Sequence, residues 1–144
     1  MIKVFLDSSA LVAASASKKG ASAFILGYSK LRKIQTFISL DCLGETRKNV
    51  NLKLGKAGRG RLVYYLKFAR LRLVLEPSLE EIATCEKVIN KKDAPILAAA
   101  KKSGASFLVT LDRKHFFNSR VINFAKPMRI ITPGEFVTSK TRSL

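Results

Sequence analysis

The chain has 144 residues, of which 47% are hydrophobic. That is enough for one domain with a hydrophobic core, and the composition excludes a disordered protein. Its formal net charge is +17, with 27 Lys and Arg against 10 Asp and Glu, so we expect a polyanionic partner, most simply nucleic acid. A membrane surface is the competing partner, but the chain lacks Trp anchors.

Neither a membrane span nor a secretory leader is expected. No apolar stretch approaches the roughly 18 residues that cross a bilayer, and Asp7 interrupts the first apolar run before a signal peptide could form. Cys42 and Cys85 are far apart and accompany a single His, which argues against a zinc site and predicts two reduced thiols. We therefore expect a cytoplasmic protein. Cys85 is expected on the apolar face of a helix.

The first third of the chain predicts alternating strands and helices. Residues 2–6 form a short apolar strand, after which Asp7 and two serines can cap a helix that continues to about residue 16. A second helix is expected over residues 21–32 and a second strand over residues 36–39. Asp41 is placed to cap a third helix, which runs towards residue 54.

The rest of the chain continues this alternation. Gly55, Gly58 and Gly60 predict a flexible turn, and Ser78 with Glu81 forms a capping box. Further helical segments are expected over residues 61–70, 78–90, 93–103 and 133–137. Further strands are expected over residues 73–75, 107–111 and 129–131. Residues 1–137 then form one domain, followed by a polar, flexible tail over residues 138–144.

The order of elements predicts an α/β fold. The two clearest strands are continuous apolar runs, as expected where both faces of a parallel sheet are covered. We therefore predict a three-layer α/β/α sandwich with a central, mostly parallel sheet of four to five strands. Ligands of such sheets bind beyond the carboxyl ends of the strands. Asp7 and Asp112 each follow a strand, so they can converge.

Four acids in this basic chain are candidate metal ligands: Asp7, Glu45, Asp93 and Asp112. Carboxylates are the ligands that Mg²⁺ and Mn²⁺ prefer, and crowding should raise the pKa of at least one of them. Each acid also has a simpler interpretation. Asp7 can cap a helix, Asp93 and Glu45 can favour helix N-termini, and Asp112 can be a turn residue. Asp41 rivals Glu45 but is interpreted as an N-cap.

Neighbouring polar residues can support this site. Ser9 and Thr110 could donate hydrogen bonds that orient an acid or a phosphate. His115 invites assignment as a general base, although a single loop His is more often incidental.

A basic segment from Arg47 to Arg72 contains nine Lys or Arg and no acid. We expect it to border the acidic pocket and guide single-stranded RNA, with the small residues between Lys56 and Arg61 allowing close approach of the backbone to phosphate. Tyr64, Tyr65 and Phe68 are expected to pack in the core rather than stack on bases. The predicted nucleic-acid contacts are Arg47, Lys48, Lys56, Arg59, Arg61, Lys92, Arg113 and Lys114.

Four segments together resemble the PIN-domain ribonucleases. They are Val4–Val12 with the first acid, Gly44–Lys48 with the helical Glu, Lys92–Ala100 with the third acid, and Val109–Asp112 with the fourth. The resemblance implies a metal-dependent endoribonuclease that cleaves single-stranded RNA with Mg²⁺ or Mn²⁺. Its catalytic and metal-binding residues would be Asp7, Glu45, Asp93 and Asp112.

The resemblance extends to stand-alone domains of the VapC-toxin type. It implies a toxin of a toxin–antitoxin pair, an antitoxin that covers the acidic pocket with an Arg, and a homodimer. Two positions depart from the family pattern. Ser9 stands where the family often has Asn, and Arg113-Lys114-His115 stands where many members have another Asp. The second departure leaves fewer ligands for a second metal.

Two other functions compete with the nuclease. A non-catalytic RNA-binding module, in RNA processing or at the ribosome, fits the high charge but gains nothing from four acids. A phosphoacceptor signalling domain shares the sheet architecture and clustered acids, but the positions of these acids fit it poorly.

Overall fold

The computed structural model describes residues 1–140. Its elements are β1 (Ile2–Leu6), α1 (Ser8–Ala16), α2 (Ala21–Lys30), β2 (Ile34–Ile38), α3 (Leu40–Lys53), α4 (Lys56–Phe68), β3 (Arg72–Leu73), α5 (Leu79–Glu86), α6 (Ala94–Lys102), β4 (Phe107–Val109), α7 (Arg113–Phe116), α8 (Ser119–Ala125), β5 (Arg129–Ile131) and α9 (Pro133–Lys140). The strands form one five-stranded sheet in the order β3-β2-β1-β4-β5. Each of these pairs is parallel.

The central strand β1 explains the continuous apolar run at the start of the sequence. Val4 pairs with Thr36 on one side and with Phe107 on the other. Val4, Phe5 and Leu6 are all inaccessible to solvent, because helices cover both faces of the sheet. The predicted three-layer α/β/α fold with a parallel sheet is confirmed.

Two apolar clusters fill the space between the layers. One contains Phe5 and Leu108 of the sheet and packs against α5, α6 and α8. The other contains Val4 and Val109 and packs against α1, α2, α4 and α9. The alternation of neighbouring sheet residues between the two clusters follows from the period of two along a strand. The carboxyl ends of β1 and β4 are thereby held side by side at the point where the strand order reverses.

The predicted glycine turn before α4 is wrong. Gly55 is the N-cap of α4, and Gly58 and Gly60 lie within it, so the helix begins at Lys56 rather than at residue 61. A Cβ on Gly58 would lie 2.7 Å from Leu54 Cβ, so close packing rather than flexibility accounts for this glycine. The backbone between Lys56 and Arg61 is helical and does not form an open turn for phosphate.

Several predicted boundaries shift by a few residues. The N-cap of α3 is Ser39, whose Oγ accepts a hydrogen bond of 3.1 Å from the Cys42 N–H, so the prediction that Asp41 caps this helix is wrong. The sequence patterns did not predict α7 and α8. Their N-caps are Asp112 and Asn118, whose side chains accept from backbone N–H groups three residues later. Such short helices show too few turns for a periodic pattern.

The last helix corrects the start of the predicted tail. Helix α9 runs to Lys140, so residues 138–140 are helical and do not belong to a flexible tail. Glu135 accepts from the Thr132 N–H while Thr132 Oγ1 accepts from the Glu135 N–H, and this capping box starts the helix firmly. The rest of the predicted tail, residues 141–144, lies outside the described residues.

Two further local predictions, the capping box at α5 and the free thiols, are confirmed. The Ser78 and Glu81 capping box is present at α5. Gly104, which adopts a φ of 72°, follows the C-cap of α6. Cys42 and Cys85 are buried free thiols. Among the described residues, no helix is long and apolar enough to cross a membrane.

The aromatic residues of α4 divide between core and surface. Tyr65 is buried and its hydroxyl donates to the Ala14 carbonyl at 3.2 Å. Tyr64 and Phe68 are 41% and 51% exposed, so the prediction that they pack in the core is wrong. Phe68 follows Tyr64 by four residues, so the two rings lie together on one exposed face of α4.

Arg61 has a structural role that the sequence did not reveal. Its Nε donates to the Ser15 carbonyl at 2.6 Å and its Nη2 to the Ala16 carbonyl at 3.3 Å. These carbonyls belong to the last turn of α1, where no intrahelical donors remain. The guanidinium therefore joins α4 to the end of α1, and this accounts for Arg61 without nucleic acid.

Arg61→Ala is expected to lower the free energy of unfolding by about 1.5 kcal/mol, because it removes two charge-assisted hydrogen bonds, of which the one to the Ser15 carbonyl is partly buried. Urea unfolding followed by circular dichroism measures this. Arg59→Ala is the matched control, since its Nη1 makes only a long contact of 3.5 Å with the Leu54 carbonyl. Equal stability of the two variants would contradict the assigned role.

Candidate active site

Asp7 lies at the carboxyl end of the central strand and is only 4% exposed. Its backbone N–H donates to the Val109 carbonyl at 3.0 Å, which continues the pairing of β1 with β4. Its Oδ2 accepts hydrogen bonds from Thr110 Oγ1 at 2.7 Å and from Ser9 Oγ at 3.0 Å. Asp7 occupies the N-cap position of α1 but makes no side-chain capping bond, so capping does not explain it.

Ser9 and Thr110 also connect the ends of the two strands. Their hydroxyl oxygens are 3.2 Å apart. Ser9 Oγ accepts from the Leu111 N–H at 2.9 Å, and Thr110 Oγ1 accepts from the Asp112 N–H at 3.0 Å. The two hydroxyls thus fix both the Asp7 carboxylate and the backbone that leads into Asp112.

Asp93 is the second buried acid of the site and is 8% exposed. It precedes α6, with Pro in the helix's first turn, but its carboxylate makes no capping bond. Instead its Oδ2 accepts from Asn90 Nδ2 at 2.8 Å, while its own N–H donates to Asn90 Oδ1 at 3.0 Å. A carboxylate buried this deeply and not used for capping is costly unless it has another role.

His115 lies close to both Asp93 and Asp112, the N-cap residues of α6 and α7. Its Nδ1 lies 2.8 Å from Asp112 Oδ2 and 3.6 Å from Asp93 Oδ2. Potential ligand atoms of these three side chains all lie within 4.8 Å of one another. Asp112 also caps α7 by accepting from the His115 N–H at 3.2 Å, and this cap turns the imidazole towards the acids.

Sequence reasoning underestimated His115 and did not consider Asn90. The sequence signal that could have identified His115 is its spacing from Asp112. It follows Asp112 by three residues, which brings two side chains together within one helical turn. Asn90 stands three residues before Asp93 and is placed to fix it. Neither spacing is specific enough to identify a site without the fold.

Burial raises the pKa of the Asp7 carboxyl above its usual value of 3.8. Hydrogen bonds from Thr110, Ser9 and Ser8 oppose the shift, and the charge of Asp93 adds to it. The neighbouring Cys42 thiol is also buried, and desolvation together with the Asp7 charge raises its pKa to about 12. One raised carboxyl pKa agrees with the crowding expected of the acids, although desolvation is its main cause.

Asp7→Asn is expected to stabilise the metal-free protein at neutral pH. The folded state binds a proton on Asp7 more tightly than the unfolded state does, so wild-type stability falls as pH rises from the usual carboxyl pKa through the raised one. The variant lacks this contribution. Urea unfolding in EDTA across that pH range checks it, with Glu86→Gln as an exposed control. A variant less stable than wild type at neutral pH would contradict the prediction.

Glu45 lies apart from the three-residue cluster in the described structure. It is half-buried on α3 and lines a groove of about 420 Å³ together with residues from the start of α6. Lys48 and Lys92 line the same groove. Lys92 is the neighbour of Asp93 in the chain, but neither Asp93 nor the other two predicted aspartates line this groove.

The other predicted phosphate contacts fall into two groups. Arg113 and Lys114 follow Asp112 directly and are exposed on α7. Arg47, Lys56 and Arg59 are exposed on α3 and α4. None of these three residues lines the groove that contains Glu45. The predicted basic arm is therefore divided, and Lys48 is the member of segment 47–72 that lines the groove beside Glu45.

The donor chemistry of the site fits a divalent metal ion. Three carboxylates, Asp7, Asp93 and Asp112, offer hard oxygen ligands, and the imidazole of His115 offers a nitrogen. Asn90, Ser9 and Thr110 hold the acids in place by hydrogen bonds, as outer residues do around metal ligands.

Comparisons with known proteins agree with this geometry. A PIN-domain family model matches residues 3–114. The structure of PAE2754 from Pyrobaculum aerophilum is similar with a TM-score of 0.62 and 20% identity, over 95% of this chain and 88% of that one. A search of curated protein sequences finds no match.

Two further solved structures share the fold. VapBC2 from Rickettsia felis, bound to a DNA fragment from its promoter, matches with a TM-score of 0.64 and 17% identity, over 90% of this chain and 97% of that one. Mycobacterium tuberculosis VapC20, a toxin that cleaves the sarcin-ricin loop, matches with a TM-score of 0.53 and 17% identity, over 77% and 91%. At these identities the structures establish the fold alone. Because the family model covers most of its length, this chain belongs to the PIN-domain family.

Proposed function

We propose that the protein is an endoribonuclease that hydrolyses single-stranded RNA with Mg²⁺ or Mn²⁺. The observation that carries this proposal is the meeting of Asp93, Asp112 and His115 beside the buried Asp7, at the switch point of a parallel sheet. Membership of the PIN family supports nuclease activity. The net charge of +17 supports a polyanionic substrate.

The residues of the site would divide the work between them. Asp93, Asp112 and His115, with Asp7 beside them, would hold the metal ion. When bound, a divalent ion activates water and stabilises charge that develops on a phosphate. Ser9 and Thr110 orient Asp7, and Asn90 orients Asp93. Glu45 would contribute a ligand or position water from α3.

Basic residues near the acids would place the RNA backbone. Lys48 and Lys92 line the groove that contains Glu45. Lys92 precedes Asp93 in the chain, while Arg113 and Lys114 follow Asp112. Their charges attract phosphates and offset the repulsion between RNA and the acids. These proposed contacts are to phosphates, and phosphate contacts carry no sequence information, so they imply no base preference.

We extend the proposal to the protein's partners. The fold shared with VapC20 and with the VapBC2 complex supports a toxin held in check by an antitoxin. Such an antitoxin would present an Arg to the carboxylates. The protein would act in the cytoplasm as a homodimer.

Cleavage of end-labelled single-stranded RNA by the purified protein tests the proposal. Cleavage products are expected in Mg²⁺ or Mn²⁺ and none in EDTA. A second candidate, a non-catalytic RNA-binding module, is favoured by the replacement of a further family Asp by Arg113-Lys114-His115. RNA binding with no cleavage in either metal would overturn the nuclease and support that module.

A further inference from the structure

A second basic site lies at the opposite end of the sheet from the acids. Arg32, Arg70 and Arg72 line a pocket of about 390 Å³ together with Ser29 and Gln35, and none of its lining residues is acidic. Its remaining lining residues lie at the amino ends of β1 and β2. A strand of five residues spans about 17 Å, so this arginine pocket is separate from the acidic site.

The backbone at two of these arginines is unusual. Arg32 and Arg70 have φ values of 60° and 59°, in the left-handed region where Gly is the default residue. They directly follow the C-caps of α2 and α4, the position where helices commonly place Gly. Helix α6 does so with Gly104. Arg32 and Arg70 therefore both carry backbone strain that Gly would avoid at these positions.

Structural contacts do not account for all three arginines. Arg70 Nε donates to the Lys30 carbonyl at 3.3 Å, which partly explains this residue. The Arg72 guanidinium donates to the side-chain oxygen of Gln35, with Nη1 at 2.7 Å, which partly explains Arg72. For the Arg32 guanidinium no hydrogen-bond partner occurs among residues 1–140. Three exposed guanidiniums around one pocket repel each other, whereas their planar donor groups suit phosphate oxygens.

Two exposed aromatic side chains stand next to this pocket. The rings of Tyr64 and Phe68 have centroids 5.0 Å apart, and both rings are exposed. Lys30 connects them to the pocket, since its ammonium contacts Tyr64 and its carbonyl accepts from Arg70. Aromatic faces beside clustered arginines are typical of surfaces that bind single-stranded nucleic acid.

We propose that the arginine pocket and the aromatic pair form a second binding surface for single-stranded RNA. The RNA backbone occupies the pocket of Arg32, Arg70 and Arg72, and bases stack on Tyr64 and Phe68. The choice of RNA rests on the proposed function. The surface holds the strand at a distance from the acids. It therefore raises the affinity for RNA, and it does so more for strands long enough to reach both sites.

Binding measured in EDTA, where cleavage does not interfere, tests this surface. The probe is a fluorescein-labelled oligouridylate of about 20 nucleotides, read by anisotropy across a salt series. Arg32→Gly/Arg70→Gly is expected to weaken binding by about tenfold or more. It should also reduce the slope of log affinity against log salt by about 1.4, since each phosphate contact of a single strand contributes about 0.7. Lys87→Ala/Lys126→Ala, on the opposite layer, removes the same charge and serves as control.

The same variants separate function from folding. Gly adopts a left-handed backbone without strain. The Arg32→Gly protein is therefore expected to melt at the wild-type temperature or a few degrees higher, and yet to bind RNA more weakly. Tyr64→Leu/Phe68→Leu is expected to weaken binding by about fivefold or more with a smaller change in salt slope. Wild-type affinity and salt slope in the glycine variant, or equal losses in the lysine control, would overturn the proposal.

Three further measurements distinguish an RNA surface from a phosphate site and from an interface between copies. A probe of about five nucleotides, too short to reach both sites, should lose less affinity in the glycine variant than the longer probe does. Competition by inorganic phosphate at RNA-like affinity would identify a free-phosphate site instead. Light scattering that shows a changed oligomer in the aromatic variant would identify an interface between copies instead. Loss of cleavage alone, with this binding intact, would overturn only the nuclease.

Discussion

Asp93→Asn is expected to reduce RNA cleavage by about 10³-fold, because it removes a charged ligand from the group proposed to hold the metal. Asp7→Asn should have an effect of similar size, since Asp7 is the buried acid that Ser9 and Thr110 orient. Single-turnover cleavage of labelled RNA with saturating Mn²⁺ measures both. Asn preserves the size of the side chain, so circular dichroism should show a folded protein.

RNA binding distinguishes loss of chemistry from loss of substrate. In EDTA both variants should bind RNA at least as tightly as wild type, because each removes a negative charge from a surface that meets phosphate. Glu86→Gln makes the same chemical change on α5 and should leave cleavage unchanged. Cleavage by Asp93→Asn at a rate close to wild type would refute the assigned site.

His115→Ala is expected to lower Mn²⁺ affinity by about 10- to 100-fold, the range found when residues that support a metal site are removed. Mg²⁺ affinity should fall less, because imidazole suits transition metals better than Mg²⁺. Isothermal titration calorimetry of the purified protein, without RNA, provides a readout that does not depend on activity.

The nitrogen of His115 also offers a spectroscopic test. Since the chain has one His, nitrogen coupling from an imidazole in the electron paramagnetic resonance of bound Mn²⁺ should vanish in His115→Ala. His115→Gln restores a neutral polar group without the imidazole and should resemble Ala. Unchanged Mn²⁺ affinity in both variants would mean that the His115 side chain only hydrogen-bonds Asp112.

The sequence was sufficient for the fold and for the placement of two acids. Continuous apolar strands imply a covered parallel sheet, and carboxyl ends of parallel strands share one edge. Asp7 and Asp112 could therefore be placed together although 105 positions separate their numbers in the chain. Asp93 was identified mainly through the family resemblance, because an acid before a helix is common.

Tertiary contacts account for what could not be predicted. Arg61 was expected at RNA, but it serves carbonyls of α1 that lie 46 and 45 residues earlier. Gly58 was expected in a turn, but it packs against Leu54 inside a helical stretch. The left-handed backbone at Arg32 and Arg70 leaves no sequence signal, because Gly rather than Arg marks that conformation.

The bond from Thr110 to Asp7 spans 103 positions of the chain. A ribosome must therefore synthesise β4 before β1, which also pairs with β2, can receive its second parallel partner. Earlier nascent chains also lack Asp112 and His115. An incomplete chain consequently lacks part of the acidic site, which assembles only when β4 joins β1. Hydrogen exchange at the Asp7 amide, which donates to the Val109 carbonyl, reports the moment of assembly.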